Sequence, residues 1–262
     1  MRTIVLVADE STAREIRAPG RRRRSVAGYV FMPALLAVTL IVLWAWVDSQ
    51  TLDSIEARRA SLDFIRTATL QHISLTLVST LIVLLIAIPV GIALTRSWSR
   101  RITPPSIAVF NIGVAIPSLG LLAIFALVWN IGFWPAVAAL VAYAALPVLR
   151  NTMVGLQQVD SAVIESARGM GMSKRAVLRR IELPLAVPVM LAGIRTAMVI
   201  NVGSAALATF VGAGGLGTIL VAGISQNRQL LTILGAVLIA VLALLIDYLA
   251  GLAEDFLRPR GL

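Results

Sequence analysis

The chain has 262 residues, of which 58% are apolar and only 14% charged, with a formal net charge of +10 and a mean hydropathy of +0.90. So much apolar surface exceeds what a soluble domain can bury and requires lipid to cover it, so an ordinary soluble enzyme is excluded. Cysteine is absent and histidine occurs once, which removes disulfides and thiolate metal sites and leaves no metal-ligating set.

A membrane-crossing helix needs about 20 mostly apolar residues. Six stretches qualify: 27–47, 69–95, 106–129, 131–150, 185–211 and 229–250. The expectation is an all-α polytopic membrane protein, with a basic, disordered tail over 1–25 and a transmembrane domain over 26–262. The first span follows Arg21 to Arg24 and has no small-residue cleavage site, so it reads as an uncleaved anchor, with Trp44 and Trp46 in the interfacial aromatic belt. Basic residues cluster in alternate segments: the N-terminal tail, Arg96 with Arg100 and Arg101, the 151–184 loop, and Arg258 with Arg260. The opposite side holds Arg58, Arg59 and Arg66, offset by Asp53, Glu56 and Asp63, plus Arg228. Positive residues accumulate on the cytoplasmic side, so both termini and the 151–184 loop are expected there. The basic charge therefore reads as an orientation signal meeting the lipid bilayer, with no nucleic-acid partner. The polar loop over 48–68 is long enough for a short surface helix.

Within the second to fourth spans, Pro89, Pro117, Pro135 and Pro147 each remove a backbone donor and suit kinked helices around a gated pathway, or simple packing. Asn111 is a polar span residue that suits a pathway lining or an interhelical hydrogen bond. The lone His72 starts the second span, where an interfacial or capping role is expected.

The 151–184 loop joins the fourth and fifth spans. Asp160 or Ser161 can cap a helix over 161–169, Gly169 and Gly171 can end it, and Ser173 can cap a second helical piece through 182. Pro184 then suits the first turn of the fifth span. The result is a helix–Gly–helix elbow carrying Val163, Ile164, Met170 and Met172 for an apolar contact. In the fifth span Arg195, Asn201 and Ser204 are polar, and intramembrane charge defaults to a functional hypothesis. Arg195 either faces a pathway near mid-membrane or snorkels to the cytosol, while Asp247 is expected at the inner interface. Gly212, Gly214, Gly215 and Gly217 satisfy GxGxxG. They follow a membrane span and not a βαβ strand, so they read as a flexible or tightly turning hinge and not as a dinucleotide site.

Glu165-Ser166-Ala167, with Gly171, Ile181 and Leu183-Pro184 at their spacing, resembles the EAA signature of ABC-importer permeases; it departs at Ser166, where that family usually has Ala. The glycine stretch 212–217, Ile88-Pro89-Val90-Gly91, Ala115-Ile116-Pro117-Ser118-Leu119 and Ala192-Gly193-Ile194-Arg195-Thr196-Ala197 are similar to the branch that takes up glycine betaine, carnitine and choline. The resemblance implies a permease subunit whose 151–184 loop is a coupling helix. Glu165, Ser166, Ala167, Gly171, Ile181, Leu183 and Pro184 would couple it to an ATPase. The Pro, Asn111, Arg195, Asn201, Ser204 and glycine positions would form or gate the pathway. It further implies a second permease, a partner ATPase that hydrolyses ATP, and a separate extracytoplasmic substrate-binding protein, all at a bacterial cytoplasmic (inner) membrane. No GxxxxGK[ST] loop occurs, so no cofactor is expected on this subunit. Other readings are a permease for methionine or another amino acid, a membrane-embedded enzyme, or a scaffold subunit.

Overall fold

Backbone polar groups inside a bilayer have no water to bond, so apolar spans of this length fold as helices. The computed structural model, which describes residues 26–257, contains helices and no strand among them. The expectation for the tail over 1–25, and Arg258 and Arg260, lie outside the described residues.

Helix α1 (Val26–Asp48) is followed by a short α2 (Ser54–Arg59). The α2 start is closed by a capping box: Asp53 accepts from the Ile55 and Glu56 amides, and Glu56 accepts from the Asp53 amide. Helix α3 (Leu62–Leu94), capped by Ser61, has 33 residues. At 1.5 Å per residue that is about 50 Å, longer than the ~30 Å hydrocarbon layer, so its first turns, with Asp63 and Arg66, project beyond it. This is why α3 begins ahead of the apolar stretch at 69.

The stretch 106–129, expected as a span kinked at Pro117, is broken more sharply than a kink. It forms α4 (Thr103–Ala115) and α5 (Ser118–Val128), bent by 98°. The cause is Pro117, which lacks the N–H a continuing helix would use and forces Ile116 into extended backbone (φ −79°, ψ 130°). Each half is too short to cross a bilayer alone. Five helices are long and apolar enough to cross, or six spans if the bent pair counts as one.

Helix α6 (Phe133–Gln157) lies against α3, α4, α5 and α9. The short α7 (Ser161–Gly169) and α8 (Lys174–Val177) follow, and a π-helical turn (Leu178–Glu182) joins α8 to α9 (Leu183–Ala205). A 3₁₀ segment (Ala206–Val211), the glycine turn, α10 (Gly217–Ser225) and α11 (Gln229–Leu257) complete the chain. Helix α10 was not legible in the sequence, because its nine residues lie between glycines and a polar turn.

Helices associate in lipid by close packing, which small residues permit. At α6–α9 a Cβ on Gly193 would sit 2.9 Å from the Pro147 carbonyl oxygen and crowd Asn151, and one on Gly155 would sit 3.0 Å from the Ala186 carbonyl oxygen. At α3–α6 a Cβ on Gly91 would meet Thr152 at 2.9 Å. Val83, Ala87, Ala144, Val148, Leu149 and Ala197 fill the space between α3, α6 and α9.

Gly217 allows the tightest approach, with its α-carbon over the Ala206 backbone carbonyl. Gly217→Ala places a methyl group against backbone that cannot rotate away. The expected destabilisation is about 1–3 kcal/mol, read as a lower melting temperature in detergent. Gly203→Ala, whose added Cβ meets open space, should leave it nearly unchanged.

Candidate functional site: the elbow, the ion cluster and the glycine turn

The elbow is built from local sequence. Asp160 accepts from the Ala162 amide at 2.8 Å and starts α7. At its end the Met172 amide donates to Ala167 O (3.2 Å) and the Gly171 amide to Arg168 O (2.9 Å), while Gly171 has φ +88°. These two bonds around a left-handed glycine are the Schellman closure. Ser173 then accepts from the Ala176 amide and begins α8. Gly169, expected to break the helix, remains within it; Gly171 alone makes the turn.

Around this turn Glu165 and Ser166 are exposed and Ala167 is buried. Met170 is 77% exposed at the tip, while Ile164 and Met172 are half-buried. The return limb is continuous with α9, so Pro184 does not open a separate helix. The missing Pro184 N–H falls beside the π turn, where Leu183 N–H bonds Leu178 O five residues back. Ile181, Leu183 and Pro184 are half-buried on this limb. Glu182, buried beside them, accepts from Arg96 at 2.7 Å and ties the limb to the end of α3. Sequence reasoning missed this pair because its members are 86 positions apart. A cleft of about 990 Å³ opens between these elements, lined by Arg96, Arg100, Arg168, Lys174 and Arg175 with Glu182 as its carboxylate.

Arg195 does not stand alone. Its Nε and Nη2 pair with both Asp247 carboxylate oxygens at 2.5 Å, and Glu254 lies 3.9 Å from Nη1. The Asp247 expected at an interface is therefore the partner that joins α11 to α9. Asn201 is buried and donates to Thr80 Oγ1 at 3.1 Å, with its Oδ1 unpartnered among the described residues. Ser204, one turn further, is also buried. Asn111 accepts from Arg150 at 3.0 Å, linking α4 to α6. Pro89 lies within the unbroken α3 with its side chain exposed, and Pro117 is exposed at the α4–α5 break.

The glycine turn is anchored to α3. Gly212, Gly214 and Gly215 have φ of 72°, 79° and 91°, a left-handed region that glycine enters without a Cβ penalty. Gln71 of α3 accepts from the Gly215 amide at 3.0 Å. His72, expected in an interfacial or capping role, is wholly buried within the protein. Its Nδ1 accepts from the Leu216 amide at 3.3 Å and its Nε2 donates to Val202 O at 2.9 Å. Both bonds together require the neutral, Nε2-protonated ring. Gly217 provides the close approach described above, so these glycines serve a packed turn between helices and no βαβ phosphate loop. Nearby, Arg228 pairs with Asp53 and Glu56, and hydrogen bonding to Arg228 holds the Asp53 carboxyl below the usual carboxylate range.

A family model described as "Binding-protein-dependent transport system inner membrane component" matches residues 87–260. The choline transport system permease protein OpuBB of Bacillus subtilis is 40% identical over 74% of this chain and 88% of that protein. The glycine betaine/carnitine/choline transport system permease protein OpuCB of the same organism is 38% identical over 73% and 88%. Among solved structures, an inward-facing form of the MetNI methionine ABC transporter superposes with a TM-score of 0.66 at 25% identity, covering 76% of this chain and 98% of that one.

The Arg195–Asp247 pair makes a measurable claim on stability. Its side chains are 33% and 27% exposed, between surface pairs worth under ~1 kcal/mol and buried ones whose breakage costs about 3–5 kcal/mol. Arg195→Gln should therefore destabilise by about 2 kcal/mol, and Arg195→Gln with Asp247→Asn by less than the sum of the single changes. A double-mutant cycle on thermal unfolding measures the coupling.

Proposed function

Because the chain belongs to the family of binding-protein-dependent transport system inner membrane components, we propose that it is the permease subunit of an ATP-driven importer for quaternary-amine osmoprotectants such as glycine betaine, carnitine and choline. A permease is a transport subunit and not an enzyme. The chemical work belongs to its ATPase partner, which turns over ATP, while a separate binding protein delivers solute and a second permease, a copy or a paralogue, completes the pathway. Both termini and the elbow face the cytoplasm in this reading, which the distribution of basic residues supports.

The observation that carries the coupling role is the elbow. An amphipathic helix of nine residues, ending in a Schellman turn with Met170 and Glu165 exposed, offers a small convex patch to a groove on a partner. Its return limb is continuous with α9, which runs on to the glycine turn at the opposite end of the bundle. A push on α7 thus reaches the far side through one helix. The residues assigned to coupling are Glu165, Ser166, Ala167, Gly171, Ile181, Leu183 and Pro184. Arg195, Asn201, Ser204 and the glycines act further along the same path, with Pro89, Asn111 and Pro117 around it. Greater identity to quaternary-amine permeases than to the methionine permease favours the osmoprotectant substrate class.

Gly171→Asp imposes a side chain at φ +88° and a charge on the docking patch. Transport should be lost while membrane insertion stays normal; uptake near the wild-type rate would overturn the coupling role. The purified subunit alone should show no ATP turnover. Cells expressing the complete system should accumulate labelled glycine betaine, carnitine or choline in preference to methionine. Uptake of methionine alone would move the substrate to the other class and leave the coupling role intact.

A further inference from the structure

Arg59 ends α2, at the end of the bundle opposite the elbow and beside the glycine turn. Its Nη1 donates to the Thr218 carbonyl at 3.2 Å, and its guanidinium carbon lies 5.7 Å from the Phe64 ring centroid. No carboxylate among the described residues lies within ion-pair distance of it, since the nearby Asp53 and Glu56 are engaged by Arg228. A guanidinium has five N–H donors in a planar fork, and only one of these is used here. Arg59 also lines an open pocket of about 260 Å³ with the polar Thr209, Thr218, Ser225 and Gln226 and the apolar Val221 and Ala222. The half-buried Thr209 hydroxyl and the exposed Gln226 amide make no side-chain hydrogen bond among the described residues, so a cation with spare donors stands beside two neutral groups able to bond a ligand.

We propose that this pocket is a station for the carboxylate of a zwitterionic solute, with Arg59 as the charged donor and Thr209 and Gln226 as neutral partners. The inference rests on the osmoprotectant reading above and refines it. The Arg59 fork matches a carboxylate, and charge-assisted bonds of this kind are about twice as strong as neutral ones. Glycine betaine and carnitine carry a carboxylate beside the quaternary nitrogen. Choline carries a hydroxyl there and gains only a neutral hydrogen bond. The station therefore discriminates within one substrate class by the group that is not the ammonium. It lies against α10 and the 3₁₀ segment, both of which adjoin the seated glycine turn, so an arriving carboxylate meets the bundle where that turn is anchored to α3.

The test uses the complete importer in proteoliposomes, with permease, ATPase and saturating solute-loaded binding protein, so that maximal uptake rates report the permease. Arg59→Gln removes the charge and leaves a neutral amide; Arg59→Lys retains the charge. The expected result for Arg59→Gln is an about tenfold fall in the rate for glycine betaine and carnitine relative to choline, the factor for one charged hydrogen bond. Arg59→Lys should keep most of the rate. Equal loss for all three solutes would mark Arg59 as a structural pin and overturn the station. So would unchanged rates, or Lys and Gln variants that behave alike. If the wild-type system moves choline and neither carboxylate solute, the station fails while the osmoprotectant reading stands. If it moves none of the three, that reading fails and the station falls with it.

Discussion

The close approach of α9 to α6 is the constraint on which the rest of the structure depends. In lipid, apolar side chains gain little by leaving their surroundings for one another, so association rests on packing contacts and a few polar bonds. Gly193 and Gly155 bring the two helices together at backbone distance, one from each side of the contact. Larger residues there would push α9 outward. The Asn201–Thr80 bond to α3 and the Arg195–Asp247 bond to α11 would then lose their geometry, because both partners of α9 are placed by the same helix axis.

From that axis follow the two ends of the molecule. At one end α9 runs back through a π turn into the elbow, where Glu182 is held by Arg96. The π turn and Pro184 lie together, so the helix absorbs its missing donor without breaking. At the other end α9 tightens into a 3₁₀ segment and then the glycine turn, held by Gln71 and His72 of α3. Each end is therefore fixed by polar side chains from α3 or the loop after it.

Charge inside the bundle is handled by pairing across helices. An isolated arginine in a bilayer is costly, and Arg195 instead has both Asp247 oxygens and a nearby Glu254. Arg228 at the opposite end engages Asp53 and Glu56. Arg59 has no such carboxylate among the described residues; it donates to the Thr218 carbonyl beside a pocket it shares with Thr209 and Gln226.

The sequence alone determined the apolar spans, because bilayer thickness sets a length that composition reports directly. It also determined the elbow, because Asp160, Gly171 and Ser173 act through bonds to amides only a few residues away. The glycines of the 212–217 turn were legible as a special backbone, yet whether that turn was loose or seated depended on Gln71 and His72, 144 positions away in their bonds to Gly215 and Leu216. Pro117 was visible as a kink, but the size of the bend, 98°, emerged only in the folded chain. Arg195 and Asp247 were each visible as charges in spans, and only the packing of α9 on α11 made them one pair. Local geometry is written in adjacent residues; partners from distant helices are chosen by close packing, which no single stretch of sequence encodes.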